Sequence, residues 1–330
     1  MPEGETGGTG KKLARELESF AVARFRLRLR VLERLALPGH MGSALRGGFG
    51  RIFRRVACTR GCREACQRPA ECAYGYVFET RTPPESQILR SVESAPRPFA
   101  LEPPGGAQPA FDPGESLELG LVLVGRAMDY LPYFIYAFRE LGRAGLGRWK
   151  GKFRLEEVAA LPLVGDPAAI YREGRDHPAS DRIYRLGLAQ LPPPPADGSW
   201  LTVEFLSPTQ VQYEGAAVAP REFHVLFRSL LRRVNFLNYF HCGGRLMEEP
   251  QTLIDDARTV RTEHSALRWE AWERYSFRQA RRVPMGGYVG QVSFRGRLQP
   301  FWPWLALGQW VHVGKGATFG LGQYQVRTGW

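Results

Sequence analysis

The chain has 330 residues, enough for about two domains that each bury a core of their own, so a small disulfide-stapled fold is excluded. With 44% hydrophobic, 24% charged and 12% aromatic residues, it has the composition of a packed protein and not of a disordered one. Lys and Arg number 45 against 33 Asp and Glu, a net charge of +12, which favours polyanionic partners, nucleic acid before an acidic membrane surface.

Residues 1–18 are Gly-rich and polar and read as a flexible N-terminus. They offer no apolar core for a signal peptide, so a cytoplasmic location is expected. From residue 19 the segment SFAVARFRLRLRVLE alternates with period two, the pattern of a strand. Phe25, Leu27, Leu29 and Val31 fall on one face, and Arg24, Arg26, Arg28 and Arg30 on the other. Four like charges at alternate positions repel one another unless an anion bridges them. The arginine face is therefore either a solvated surface or an anion-binding stripe.

After the turn LPGH, residues 41–57 place Leu45, Phe49, Ile52 and Phe53 at helical spacing with Arg46, Arg51, Arg54 and Arg55 between them, which predicts a basic amphipathic helix. A Cys-rich insertion at 58–72 follows, then YGYVFET and Pro/Gly-rich loops to about 114. Residues 116–125 read as a strand, 129–142 as a helix and 147–161 as a further strand region. The apolar run at 117–125 is far below the roughly 18 residues of a membrane span and is broken by Glu118 and Gly120, so no membrane association is expected. Residues 164–199 lose apolar periodicity and end in LPPPPADG, a linker composition that leaves room for some strand of its own. The second half repeats the theme, with a strand at 200–211, a long amphipathic helix at 221–240, a strand at 288–298 and a terminal block from 302. Two similar α+β halves result, 19–163 and 200–330.

Several blocks resemble the CRISPR-associated endoribonucleases that cut precursor guide RNA, within the repeat-associated mysterious protein (RAMP) superfamily. They are GSALRGGFG at 42–50, the Cys cluster ending CAYGYVFE, LVLVGRAMDYLPYFIYAFRELGRAGLG at 121–147, VEFLSPTQV at 203–211, NYFHCGG at 238–244, WERYSFRQ at 272–279 and HVGKGATFGLGQYQV at 312–326. Their order spans most of the chain. The resemblance implies an α+β protein of two tandem ferredoxin-like (RRM-like) domains with antiparallel sheets. It further implies metal-independent cleavage within CRISPR repeat RNA, giving 2′,3′-cyclic phosphate and 5′-OH ends. A non-catalytic RNA-binding subunit of a CRISPR effector complex, partnered by its other subunits, is the alternative; a DNA-binding regulator is disfavoured by the lack of a helix-turn-helix pattern.

Cleavage without a metal needs a group to take the 2′-OH proton, a donor for the leaving oxygen and cations for the phosphate. Histidine suits the first two because its ordinary pKa is near 6.5. Of six histidines, His40 lies in the turn between arginine strand and basic helix, where the family often puts its catalytic histidine; His241 and His312 are the rivals. Lys315, Arg46 and Tyr239 are candidate stabilisers of phosphate charge. Gly314, Gly316, Gly320 and Gly322 around Lys315 let backbone amides approach a phosphate, or simply form hairpin turns. Trp272, Arg274, Tyr275, Arg278, Arg281 and Arg282 offer phosphate pairing and base stacking, or an ordinary charged strand.

Cys58, Cys62, Cys66 and Cys72 match the ligand count of a tetrahedral zinc site, but their spacing lacks the usual CxxC pairs. A structural Zn²⁺, unmetallated thiols and an iron–sulfur cluster all remain open. No cofactor is expected for catalysis. Cys242, distant from the cluster, is expected to be buried.

Overall fold

The computed structural model describes residues 16–58, 61–62, 66, 71–80, 82, 95–105, 110–174, 182–195, 198–276 and 281–328. The chain divides into two compact units, an N-terminal unit Val22–Arg185 and a C-terminal unit that joins Leu186–Trp330 to the segment before Val22.

The N-terminal unit runs β1 (Val22–Val31), β2 (Leu35–Ala36), α1 (Met41–Ala57), α2 (Ala73–Phe78), β3 (Phe99–Glu102), β4 (Ala110–Phe111), β5 (Ser116–Val124), α3 (Leu131–Ala144), β6 (Phe153–Leu161) and β7 (Ala168–Arg172). Its main sheet has the order β3-β5-β1-β6-β7, antiparallel at every pair. Leaving aside β7 and the small β2–β4 pair, β1, α1, β3, β5, α3 and β6 form the βαββαβ ferredoxin arrangement. The alternation in β1 decides which face is covered: Phe25, Leu27, Leu29 and Val31 are buried, each contributing roughly 1.5–3 kcal/mol by leaving water. The centre of this unit is an aromatic cluster of Phe49, Phe53, Phe78, Phe99, Phe134 and Phe138, contributed by both long helices, α2 and β3.

In the C-terminal unit the elements are β8 (Trp200–Thr209), β9 (Val211–Tyr213), β10 (Ala216–Val218), α4 (Phe223–His241), α5 (Pro250–Ala257), β11 (Arg261–Glu270), β12 (Glu273–Ser276), β13 (Arg281–Pro284), β14 (Gly287–Arg295), α6 (Trp302–Val311) and β15 (Tyr324–Arg327). The sheet order β11-β14-β8-β15 is again that of a ferredoxin-like βαββαβ unit, with β9–β10 and β12–β13 as added hairpins. Phe223, Phe227, Phe294, Phe301 and Trp304 pack edge to face or stacked in its core, the geometry aromatic quadrupoles prefer.

One boundary differs from the sequence expectation. Within 164–199, Ala168–Arg172 pairs with β6 and extends the first sheet, and the division between units falls after Arg185. Residues 16–21, partly assigned to a flexible tail, pack in the C-terminal unit. Leu17 and Phe20 are buried, Asn238 Nδ2 donates to the Glu16 carbonyl and Ser19 Oγ donates to Asn238 Oδ1. Among the described residues, no helix is long and apolar enough to cross a membrane.

Candidate active site and nucleic-acid interface

The arginine face of β1 is not a bare cationic stripe. Arg24 pairs with Glu102 at 3.1 Å, Arg26 with Glu157 at 3.8 Å, Arg28 with Glu118 at 3.1 Å and Arg30 with Glu156 at 2.9 Å. The anions that relieve the like-charge repulsion are carboxylates of β3, β5 and β6, brought alongside by sheet register, so each of the four arginines expected to bind RNA has an internal partner. Glu102 is buried. Arg24→Gln would strip a buried carboxylate of its cation, and we expect a loss of about 2 kcal/mol in urea unfolding with RNA affinity changed less than twofold. A large affinity loss at intact stability would restore the RNA-binding reading.

α1 begins at Met41, with His40 at the capping position (φ −97°, ψ 83°) and no side-chain cap bond. His40 and Arg46 are half-buried. Along the same helix the Arg46 guanidinium lies 5.2 Å over the Phe78 ring and that of Arg54 5.4 Å over Tyr74, both cation–π arrangements. Burial pushes the Tyr74 hydroxyl above its ordinary range, with the Glu79 charge adding to the shift.

The rival histidines are enclosed. His312 is fully buried, adopts φ +66° and places Nδ1 3.0 Å from the Leu321 carbonyl. His241 is 4% exposed in the last turn of α4. Both are less accessible to an RNA backbone than His40; Tyr239, two residues before His241, is half-buried. His224 stands at the start of α4, its Nε2 3.4 Å from Glu222 and its ring edge-on to Tyr213. Desolvation holds its pKa below the ordinary value, helped by Arg258. His264 is exposed on β11. His177 lies outside the described residues.

In the terminal glycine block, Lys315 projects into solvent while its amide donates to the Gln210 carbonyl. The amides of Gly320 and Gly322 donate to Ala317 and Pro208 carbonyls, so these two glycines make turns and do not aim N–H groups at a phosphate. A Cβ on Gly322 would come 1.8 Å from the Val313 carbonyl oxygen; glycine is required there by close packing. Gly314 and Gly316 both have positive φ on either side of Lys315.

On the β12–β13 hairpin, Arg274 is opposite Val283, Tyr275 opposite Arg282, and Arg281 opposite Ser276. Arg278 lies outside the described residues. Trp272 directly precedes this hairpin.

The four clustered thiols do not gather into a metal site: among the described residues, no group of three or more His, Cys, Asp or Glu side chains could hold an ion. Cys58 closes the C-terminus of α1, while Cys72 caps α2 and turns its Sγ to the Ala57 carbonyl at 3.9 Å. Cys66 is buried, and its amide donates to Glu79. Two of the four cysteines that the spacing suggested for zinc, Cys58 and Cys72, thus sit at helix ends. Cys242 is largely enclosed with its thiol on the Ala21 carbonyl, and burial pushes its pKa up to about 11.

Comparison with known proteins agrees with this architecture. Residues 203–324 match the family model for the CRISPR-associated endoribonuclease Cas6, and residues 20–183 match AF_1859_N, an N-terminal domain. An uncharacterized protein of Archaeoglobus fulgidus is 23% identical over 324 residues, covering 94% of this chain and all of its own. Among solved structures, a Cas6 product complex aligns with a TM-score of 0.59 at 17% identity, over 93% of this chain and 100% of that one. Thermus thermophilus Cas6 aligns at 0.54 and 16%, over 93% and 99%. These structures share the fold of two ferredoxin-like units.

Proposed function

We propose that this chain, whose residues 203–324 match the family model of the CRISPR-associated endoribonuclease Cas6, cleaves CRISPR precursor RNA within its repeats without a metal ion, using His40. The imidazole takes the proton of a ribose 2′-OH, the freed 2′ oxygen attacks the adjacent phosphorus in line, and the P–O5′ bond breaks. The products are a 2′,3′-cyclic phosphate and a 5′ oxygen that leaves as OH, its proton supplied by water, to which the imidazolium returns the proton it took. Arg46 on the same helix supplies positive charge for the phosphate oxygens as the pentavalent state builds, an electrostatic contribution that grows with the developing charge.

The observation that carries His40 is the contrast in burial. It is half-buried at the head of a basic helix, whereas His241 and His312 are sealed in the C-terminal unit. The test is to incubate end-labelled repeat RNA with the protein in excess EDTA. Cleavage to a fragment carrying a 2′,3′-cyclic phosphate is the expected result. Cleavage only after Mg²⁺ is restored would overturn the metal-independent chemistry, and RNA that stays intact under both conditions while binding tightly would identify a non-catalytic RNA-binding subunit.

A further inference from the structure

We infer that the turn at 145–151 is a nucleotide-stacking platform, in which Trp149 takes an unpaired RNA base on its indole face and Arg148 and Lys150 hold the flanking phosphates. The inference rests on the RNA reading above and names a contact that reading does not contain.

Trp149 is 62% exposed, more than any other tryptophan on the described surface. A large aromatic ring held in water forgoes the favourable burial that usually fixes such residues. Its neighbours Arg148 and Lys150 are also exposed, and among the described residues neither has a carboxylate within 4.0 Å. Many cations of this unit are already paired: Arg143 with Glu140, Lys152 with Glu33 and Arg154 with Glu173, as the β1 arginines pair with theirs; Arg148 and Lys150 share their freedom with Arg51 and Arg55 on α1, but of these only they flank an exposed tryptophan. Positive charge flanking an exposed indole is the combination that holds single strands, because every base has a π face and every linkage a phosphate.

The turn is also built to be rigid. Leu146 and Gly151 form a bridge, with the Leu146 amide donating to the Gly151 carbonyl at 3.0 Å, and Lys150 is held at φ +52°. A Cβ on Gly147 would sit 2.1 Å from the Ala36 carbonyl oxygen, and one on Gly151 2.4 Å from that of Arg34. Only glycine lets the turn seat so closely on residues 34–36. Leu146 is buried, its Cδ1 against Gly48 of α1. The platform is therefore anchored to the chain segments on both sides of His40, the one leading into it and the helix leading away.

The experiment measures binding of a fluorescently labelled repeat RNA, fully 2′-fluoro substituted so that the nucleophile is missing, across a salt series. Trp149→Ala should weaken binding about tenfold, from loss of one stacked base, with the slope of log affinity against log salt unchanged. Trp149→Phe should recover most of the loss. A double variant, Arg148→Gln with Lys150→Gln, should reduce the slope by about 1.4, the value for two phosphate contacts on a single strand. Wild-type affinity in Trp149→Ala, or an unchanged slope in the double variant, would overturn the platform while leaving the RNA reading intact. Failure of the wild-type protein to bind RNA would overturn both.

Discussion

Single-turnover cleavage of repeat RNA by His40→Ala should be slower than wild type by roughly 10²–10⁴-fold, the usual contribution of a positioned proton acceptor, with RNA affinity changed only slightly. The split between rate and affinity is what separates a catalytic group from one that merely holds phosphate. His40 precedes the first helical residue and makes no side-chain cap bond to α1, so its removal takes no capping bond from the helix. Wild-type cleavage by this variant would end the assignment and pass attention to His224 and His264, which the structure also leaves within reach of solvent. A parallel loss of rate and affinity would make His40 a binding residue and would likewise remove it from the mechanism.

The sequence displays local order well and distant pairing poorly, and particular residues show why. Period-two alternation located β1 and its buried face, and helical spacing located α1, α3 and α4, because both signals are written within ten or twenty neighbouring residues. The arginine face of β1 was visible in the same way. Its neutralisation was not, since Glu118 is 90 positions from Arg28 and Glu156 is 126 from Arg30; only sheet register brings them together. His312 illustrates a second limit: a histidine beside a glycine block reads equally as a catalytic group or as a structural histidine at a helix end or strand edge, and only the fold shows it fully buried with a carbonyl partner at Leu321. The cysteine count suggests a metal because spacing is one-dimensional; that Cys58 and Cys72 stand at the ends of two helices is visible only in the fold. Residues 147–161 read as strand throughout, whereas the strand begins only at Phe153; the turn that carries Trp149, its exposure and the freedom of Arg148 and Lys150 from carboxylates needed the fold.

Phe49→Ala should cost about 3–5 kcal/mol, the range for truncating a buried phenylalanine, a large part of the roughly 5–15 kcal/mol that holds a typical domain folded. The ring is fully buried and lies 4.6 Å from Phe138, 5.3 Å from Phe134 and 5.5 Å from Phe53, centroid to centroid, with Phe78 and Phe99 completing its surroundings. Five rings from α1, α2, α3 and β3 thus lose one shared neighbour, and interiors this densely packed collapse only partly around a void. Because each unit has its own aromatic core, the damage should be local. Hydrogen exchange read by mass spectrometry should speed up in peptides from 22–185 and stay near wild type in those from 200–328. Cleavage should fall with it at temperatures where the N-terminal unit opens, since α1 carries both Phe49 and, at its head, His40. A destabilisation below about 1 kcal/mol, or protection lost equally in both units, would contradict the view that this cluster is what holds the helix and its histidine in place.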